Sequence, residues 1–182
     1  MPHPGRPQSD DEVRGFFDRW IGFGNSGAWD QIAALTHEDI VITDPMSPQA
    51  ARGRPQALQR VRDQYEPFPD GAIELVAGPF AALDGPELAY RWRFTGTHLR
   101  PVDPPGFAPT GRRVEVDGVS VLRFLDGRVV AVELFFDSTA VARQLLAAPP
   151  AGSPLESVIA LGQRVRVRIA RATTNRRGRI TG

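Results

Sequence analysis

Two Asp-Gly dipeptides, each placed between long strand-like runs, limit what this chain can fold into. Asp84-Gly85 separates one pair of runs and Asp126-Gly127 separates another. An Asp-Gly pair is a strong signal for a tight hairpin turn, because both residues tolerate a positive φ. The sequence therefore predicts an antiparallel meander with strands at 72–83, 87–98, 113–125 and 128–136.

Helical patterns precede this meander. Ser9 followed by Glu12 forms a capping box, which predicts that a helix begins there. Pro55 suits the first turn of a later helix. Helices are predicted at 9–23, 29–35, 55–65 and 138–146, with a short strand at 40–43. Helices first and a long meander last indicate an α+β fold, in which a curved antiparallel sheet wraps on N-terminal helices as a cone with one open end.

Charge and composition divide the chain into three parts. We expect a disordered N-terminus at 1–8, a cone domain with a central pocket at 9–148, and a Pro/Gly linker with an Arg-rich extension at 149–182. Residues 1–156 hold 15 arginines and 21 acidic residues, a net charge of −6, whereas the remainder holds seven arginines and no acid, a net charge of +7. The extension is interpreted as a solvated segment; binding of nucleic acid or another acidic surface is the alternative.

Several chemistries are excluded by composition. The chain has no cysteine and no lysine, which rules out disulfides, thiolate catalysis and Schiff-base catalysis. Its three histidines are scattered and no nucleotide-binding motif is present. We therefore expect neither metal nor cofactor. Because no apolar run is long enough to cross a bilayer, no membrane partner is expected, and a cytoplasmic location is predicted.

The second Asp-Gly turn predicts which residues share a face of the sheet. If Leu125 pairs with Arg128, alternation places on the pocket face Gly118, Ser120, Leu122, Phe124, Glu133, Phe135 and Asp137. The opposite face is then nearly all apolar, with Val119, Val121, Arg123, Val130, Val132, Leu134 and Phe136. A second copy of the chain is the simplest cover for such a face, so a homodimer through the sheet is predicted.

Three residues are candidates for catalysis. Asp137 ends an apolar strand, where burial would raise the pKa of a carboxyl toward neutral; capping of the final helix is the alternative. Asp44 ends a buried-looking strand, although Asp-Pro also begins ordinary turns. His98 lies at a strand end beside a Pro-rich loop, where a lone histidine more often makes a structural hydrogen bond than acts in catalysis.

The pocket itself should be mainly apolar with a few polar groups. A small apolar molecule is the expected partner. Its candidate contacts are Phe16, Trp20, Tyr65, Trp92, Phe94, Ser120, Leu122, Glu133 and Phe135.

One set of segments resembles a known family. Thr95-Gly96-Thr97-His98, the run 109–114, the run 124–129, Asp137 and Gln144-Leu145-Leu146 resemble, in order and spacing, SnoaL-like polyketide cyclases of the nuclear transport factor 2-like superfamily. The resemblance covers about 13–146. It implies the cone fold and, at Asp137, the general acid/base of an aldol-type ring closure that needs no metal or cofactor.

A second resemblance concerns Asp44. The run 40–46, followed by 53–58, resembles ketosteroid isomerases of the same superfamily. This implies that Asp44 is a base that moves a proton beside a carbonyl. The Tyr and protonated Asp that stabilise the enolate in such isomerases fall on Trp20 and Ser120 here, so only weaker donors stand at those positions.

The function expected first is therefore cofactor-free acid/base catalysis on an apolar carbonyl compound, by ring closure or isomerisation. One alternative is epoxide opening. Limonene-type epoxide hydrolases share the fold and use an Asp-Arg-Asp set; Arg91 or Arg93 could supply the arginine, but their strand holds no acid, so that set is incomplete. Polyether-type epoxide-opening cyclases use a pair of carboxylates instead, one of them near the position of Asp44. Another alternative is a ligand-binding or assembly module without catalysis. That last alternative predicts aspartates that are exposed or ion-paired with arginine.

Overall fold

The computed structural model describes residues 5–103, 106–149 and 152–154. Its helices are α1 (Asp10–Ser26), α2 (Trp29–Leu35), α3 (Arg54–Tyr65) and α4 (Ser138–Gln144). Its strands are β1 (Thr36–Thr43), β2 (Ala51–Arg52), β3 (Ala72–Ala81), β4 (Glu87–Thr97), β5 (Arg113–Leu125) and β6 (Arg128–Phe136). The capping box is confirmed: Ser9 accepts from the Glu12 amide, and Glu12 accepts from the Ser9 amide.

The strands form one curved six-stranded sheet in the order β2-β1-β6-β5-β4-β3. The meander from β3 to β6 is antiparallel, as predicted. β1 departs from the expectation, because it pairs with β6 in parallel. This arrangement confirms the α+β fold, with the N-terminal helices packed against the sheet.

A β-bulge changes the predicted register of the last hairpin. Leu125 pairs with Arg128, and both turn residues have positive φ, as the Asp-Gly signal predicts. Beyond the turn, Phe124 pairs with Val129 and Arg123 pairs with Ala131. Val130, which lies between these two pairs, therefore has no partner on β5. One extra residue on one strand reverses the side-chain alternation beyond it.

The predicted face assignment is therefore correct for β5 and wrong for β6. Ser120 pairs with Leu134 rather than with Glu133. The β6 residues that face the cavity are Val132, Leu134 and Phe136. Glu133 and Phe135 lie on the outer face, where Phe135 is 54% exposed.

The core lies between α1 and the inner face of the sheet. Phe16 of α1 packs edge-on against Phe124, with ring centroids 5.1 Å apart. Phe17 packs against Tyr90 at 4.9 Å. Burial of two adjacent aromatic residues fixes α1 across the concave side of the sheet and leaves space at its far end.

The structure describes the N-terminal segment from residue 5 but only a small part of the C-terminal extension. Residues 5–8, expected to lack order, contact the sheet: the Gly5 carbonyl accepts from the Gly127 amide, and Arg6 donates to the Glu87 carbonyl. The predicted Arg-rich extension falls almost wholly outside the described residues, as does its strand-like run at 163–169.

Candidate functional site

A cavity of about 510 Å³ opens inside the cone. That volume is typical of a small-molecule site. Its walls come from α1, α2, α3, α4 and the inner face of the sheet, and most lining side chains are apolar. The polar residues among them include Asp44, Arg60, Asp63, Tyr65, Tyr90, Asp103 and Ser120.

Asp44 and Arg60 form a buried ion pair in the cavity wall. Asp44 follows β1, its side chain is fully buried, and its Oδ2 lies 2.6 Å from Nη1 of Arg60 on α3. Its Oδ1 accepts from the Met46 amide at 2.9 Å. Arg60 also donates to the Gln49 carbonyl at 3.1 Å. Both carboxylate oxygens thus hold one hydrogen bond each, and each retains a lone pair.

A second polar group, here called the Tyr90 network, lies on the wall formed by β4 and β5. Trp20 donates its indole N–H to the Tyr90 hydroxyl at 3.2 Å. Trp92 donates to Oγ of Ser120 at 2.9 Å, and Ser120 is the direct partner of Tyr90 across the strands. Burial raises the pKa of Tyr90, while the neighbouring Ser120 hydroxyl and the hydrogen bond from Trp20 act in the opposite direction. The phenol therefore keeps its proton at neutral pH.

Gly118 makes room for this network. It pairs with Trp92, and a Cβ at Gly118 would overlap the Trp92 indole. The indole therefore lies flat over the glycine and reaches Ser120 two residues further along β5. A larger residue at this position would displace the ring.

Two further titratable groups of the cavity, Asp63 and Tyr65, belong to α3. Asp63 accepts from the Gln59 side chain at 2.7 Å. Tyr65 packs against Trp29 and Phe94. Burial raises the pKa of Tyr65, and the neighbouring Tyr90 adds to that effect.

The structure brings six of the predicted site residues to the cavity: Trp20, Asp44, Tyr65, Trp92, Phe94 and Ser120. Phe16 and Leu122 do not line it, because they are buried in the core beneath it. Glu133 and Phe135 lie on the outer face because the bulge at Val130 reverses the alternation of side chains along β6. Arg93 is also on the outer face, paired with Asp117 at 2.7 Å, and Arg91 is exposed.

Asp137 lies at the N-terminus of α4 and is exposed. Its Oδ1 accepts from the amides of Thr139 and Ala140, both at 2.9 Å. This is the capping arrangement that was the alternative to catalysis. Asp137 is not among the residues that line the cavity.

His98 is buried beside the cavity rather than in its wall. Its ring packs against Phe68, its Nδ1 lies 3.2 Å from the Thr110 hydroxyl, and its backbone bonds to Gly111 and Arg112. Burial lowers the pKa of His98. The residue therefore ties the end of β4 to the end of the Pro-rich loop.

Tyr90 and Arg60 are among the site residues that sequence reasoning missed. The alternation of β4 could have revealed Tyr90, since Trp92 and Phe94 were predicted to face the pocket and Tyr90 shares their side. No local signal identifies Arg60, because its role depends on where α3 packs against β1.

Among the described residues, no group of three or more metal-binding side chains comes together. No helix in that part of the chain is long and apolar enough to cross a membrane.

Comparison with known proteins agrees with this fold. A SnoaL-like polyketide cyclase protein from Jannaschia sp. CCS1 is 23% identical, with a TM-score of 0.66, covering 80% of this chain and 100% of that one. AclR from Streptomyces galilaeus, described as a hydroxylase, is 22% identical, with a TM-score of 0.64 and coverages of 88% and 98%. An NTF2-like protein from Exiguobacterium sp. 255-15 is 20% identical, with a TM-score of 0.55 and coverages of 67% and 98%.

None of the curated proteins compared with the chain matches it. The sequence model of the SnoaL-like polyketide cyclases, in contrast, matches residues 11–145. That span includes every helix and strand of the cone except the first residue of α1. The match supports a cyclase-type function. The chain belongs to the SnoaL-like polyketide cyclase family.

Proposed function

We propose that the cavity binds an apolar carbonyl compound and that Asp44 removes a proton beside its carbonyl, which leads to aldol-type ring closure or isomerisation. The observation that carries this proposal is a fully buried carboxylate in the wall of a largely apolar cavity. Such walls exclude water, and exclusion of water strengthens the effect of a charged base on a bound substrate.

The ion pair with Arg60 narrows the class of substrate. Each oxygen of Asp44 already accepts a hydrogen bond, so only the remaining lone pairs can take a proton. A carboxylate held in this way suits a C–H bond that is already acidic, such as a methylene flanked by two carbonyls or by a carbonyl and an aromatic ring. The C–H electron pair becomes the enolate, and the proton goes to Asp44.

Ring closure then needs no further reagent. The enolate carbon attacks a second carbonyl carbon of the same molecule, and the resulting alkoxide recovers the proton from Asp44. In isomerisation the proton returns to a different carbon. Both routes balance without oxidant or reductant, and both place Asp44 as base first and acid second.

Deuterium exchange tests the proposal without the natural substrate. The probe is β-tetralone in deuterated buffer, followed by mass spectrometry. Wild type is compared with Asp44→Asn and with Asp63→Asn, which alters another carboxylate of the same cavity. We expect exchange above buffer in wild type and Asp63→Asn and none in Asp44→Asn. Exchange equal to buffer in wild type, or retained in Asp44→Asn, would reject Asp44 as the base.

Epoxide opening is a second candidate, favoured by the further carboxylates Asp63 and Asp103 in the cavity. Arg60, rather than Arg91 or Arg93, is the arginine that lines this cavity. One carboxylic acid would protonate the epoxide oxygen while a carboxylate activates water. Incubation of styrene oxide in isotopically labelled water distinguishes this route, because only hydrolysis places the label in a diol product.

A ligand-binding role without catalysis is the third candidate. It predicted aspartates that are ion-paired or exposed, which is how Asp44 and Asp137 are found. The exchange measurement decides between this role and catalysis, because a binding protein would hold β-tetralone without exchanging its protons.

We also propose that the outer face of the sheet pairs with a second copy of the chain. Its exposed apolar residues include Phe80 and Phe135. Burial of such side chains favours association. Sedimentation should show a dimer for wild type and a monomer for Phe135→Ser; a wild-type monomer would reject the proposal.

A further inference from the structure

The Tyr90 network has at least one more donor proton than it has hydrogen bonds between its own members. Two indole N–H groups and two hydroxyl groups carry four protons. Each indole donates to one hydroxyl oxygen, and the two hydroxyls, which stand on paired residues, can share at most one further hydrogen bond. In the described part of the chain, no acceptor is found for the fourth proton.

Tyr90 is able to present this proton to the cavity. When Ser120 donates to Tyr90, the phenolic oxygen accepts two hydrogen bonds and its own O–H is free to turn toward the cavity. Accepted hydrogen bonds polarise the phenol and make it a stronger donor. Tyr90 is only 4% exposed, yet it lines the cavity, so an acceptor for its O–H can approach from inside the cavity.

This donor is separated from Asp44 along the sheet. Continuing the β1–β6 register by one residue places Asp44 beside Leu134. Leu134 pairs with Ser120, and Ser120 with Tyr90. Asp44 and Tyr90 therefore lie on one row of the sheet, three strands apart, a backbone separation of at most roughly 14 Å because the sheet is curved. A ligand that contacts both must reach from one of these strands to the other.

We infer that the Tyr90 hydroxyl is a binding donor for a neutral acceptor oxygen, a carbonyl or ether, at the end of the ligand remote from Asp44. The site is selective because a ligand without such an oxygen leaves a buried O–H unpaired. Tyr90 thereby fixes which end of an elongated ligand faces Asp44. The inference concerns the same cavity as the proposed function. It does not depend on any reaction at Asp44.

The test compares fluorenone with fluorene, which has the same ring system without the oxygen. Dissociation constants and the carbonyl stretching frequency of bound fluorenone are measured for wild type and Tyr90→Phe, with fluorene as the matched control ligand. We expect wild type to prefer fluorenone and to lower its carbonyl frequency. Tyr90→Phe should weaken fluorenone binding roughly two- to tenfold and leave fluorene unchanged.

Three results would overturn the inference: no preference for fluorenone in wild type, an unshifted carbonyl frequency in wild type, or equal losses for both probes in Tyr90→Phe. The first two do not depend on whether the variant folds. Asp44→Asn should retain the preference for fluorenone. Failure of proton exchange would therefore reject the reaction at Asp44 without affecting the role of Tyr90 as a donor. Loss of the preference for fluorenone would reject the role of Tyr90 without affecting the reaction at Asp44.

Discussion

Arg60 on α3 holds the carboxylate of Asp44 at 2.6 Å, and this contact joins the helical side of the cavity to the end of β1. Asp44 is fully buried, whereas the Arg60 side chain is 21% exposed. Replacement of Arg60 would leave a buried carboxylate with a single hydrogen bond, from the Met46 amide. A charge without its partner is costly in such surroundings.

We therefore predict that Arg60→Gln lowers the free energy of unfolding by about 1.5–3 kcal/mol. This loss of free energy of unfolding is small for a buried ion pair because the Arg60 side chain is partly exposed to solvent. Denaturant unfolding at neutral pH measures it. Arg62→Gln, on the exposed side of the same helix, is the control and should change stability little. Equal stability of the two variants would show that the ion pair contributes nothing.

Asp137 should matter for stability rather than for catalysis. Asp137→Ala removes the acceptor for the amides of Thr139 and Ala140, and should cost about 1 kcal/mol. Asp137→Asn keeps a capping oxygen and should be close to wild type. Both variants should exchange β-tetralone protons at the wild-type rate. An Asp137→Asn protein that is fully folded but inactive would instead restore the role implied by the family resemblance.

Two glycine-to-alanine changes should have opposite effects. Gly118→Ala drives a Cβ into the Trp92 indole and should destabilise the fold by roughly 1–3 kcal/mol, because the ring must leave its position. Gly22→Ala lies inside α1 with no atom near the new Cβ and should stabilise it by about 0.5–1 kcal/mol. Thermal unfolding compares them. Equal melting temperatures would contradict the packing of Trp92 on Gly118.

His98 should make stability depend on pH. Burial lowers the pKa of His98 in the folded state, so the unfolded chain binds a proton more readily. This contribution to stability is complete above the unfolded pKa, about 6.5, and is lost as pH falls through the folded pKa. Wild type should therefore lose more stability than His98→Gln between neutral pH and pH of about 5. His37→Gln retains His98 and should keep the wild-type decline; parallel curves for wild type and His98→Gln would refute the assignment.

Hairpin and capping signals predicted most of the fold, because they act over a few residues. Asp126-Gly127 fixes the last turn through two positive φ angles, and Ser9 with Glu12 fixes the start of α1. Asp44 was found for the same reason, since a strand followed by Asp-Pro is a local pattern.

The bulge at Val130 was not predictable from alternation. The residues around it, from Val129 to Val132, are all apolar, so a period of two cannot show where an extra residue sits. Its consequence was an outward Phe135 in place of an inward one. Arg60 and the Tyr90 network escaped prediction for another reason: their contacts join elements far apart in the chain, and only the packed cone brings them together.

The most direct test of the account is the rate of deuterium uptake by β-tetralone with Asp44→Asn relative to wild type. The account predicts that the rate falls roughly 10²–10⁴-fold while β-tetralone still binds, because the substitution keeps the shape of the cavity and removes the base. A folded Asp44→Asn protein that exchanges protons at the wild-type rate would contradict it.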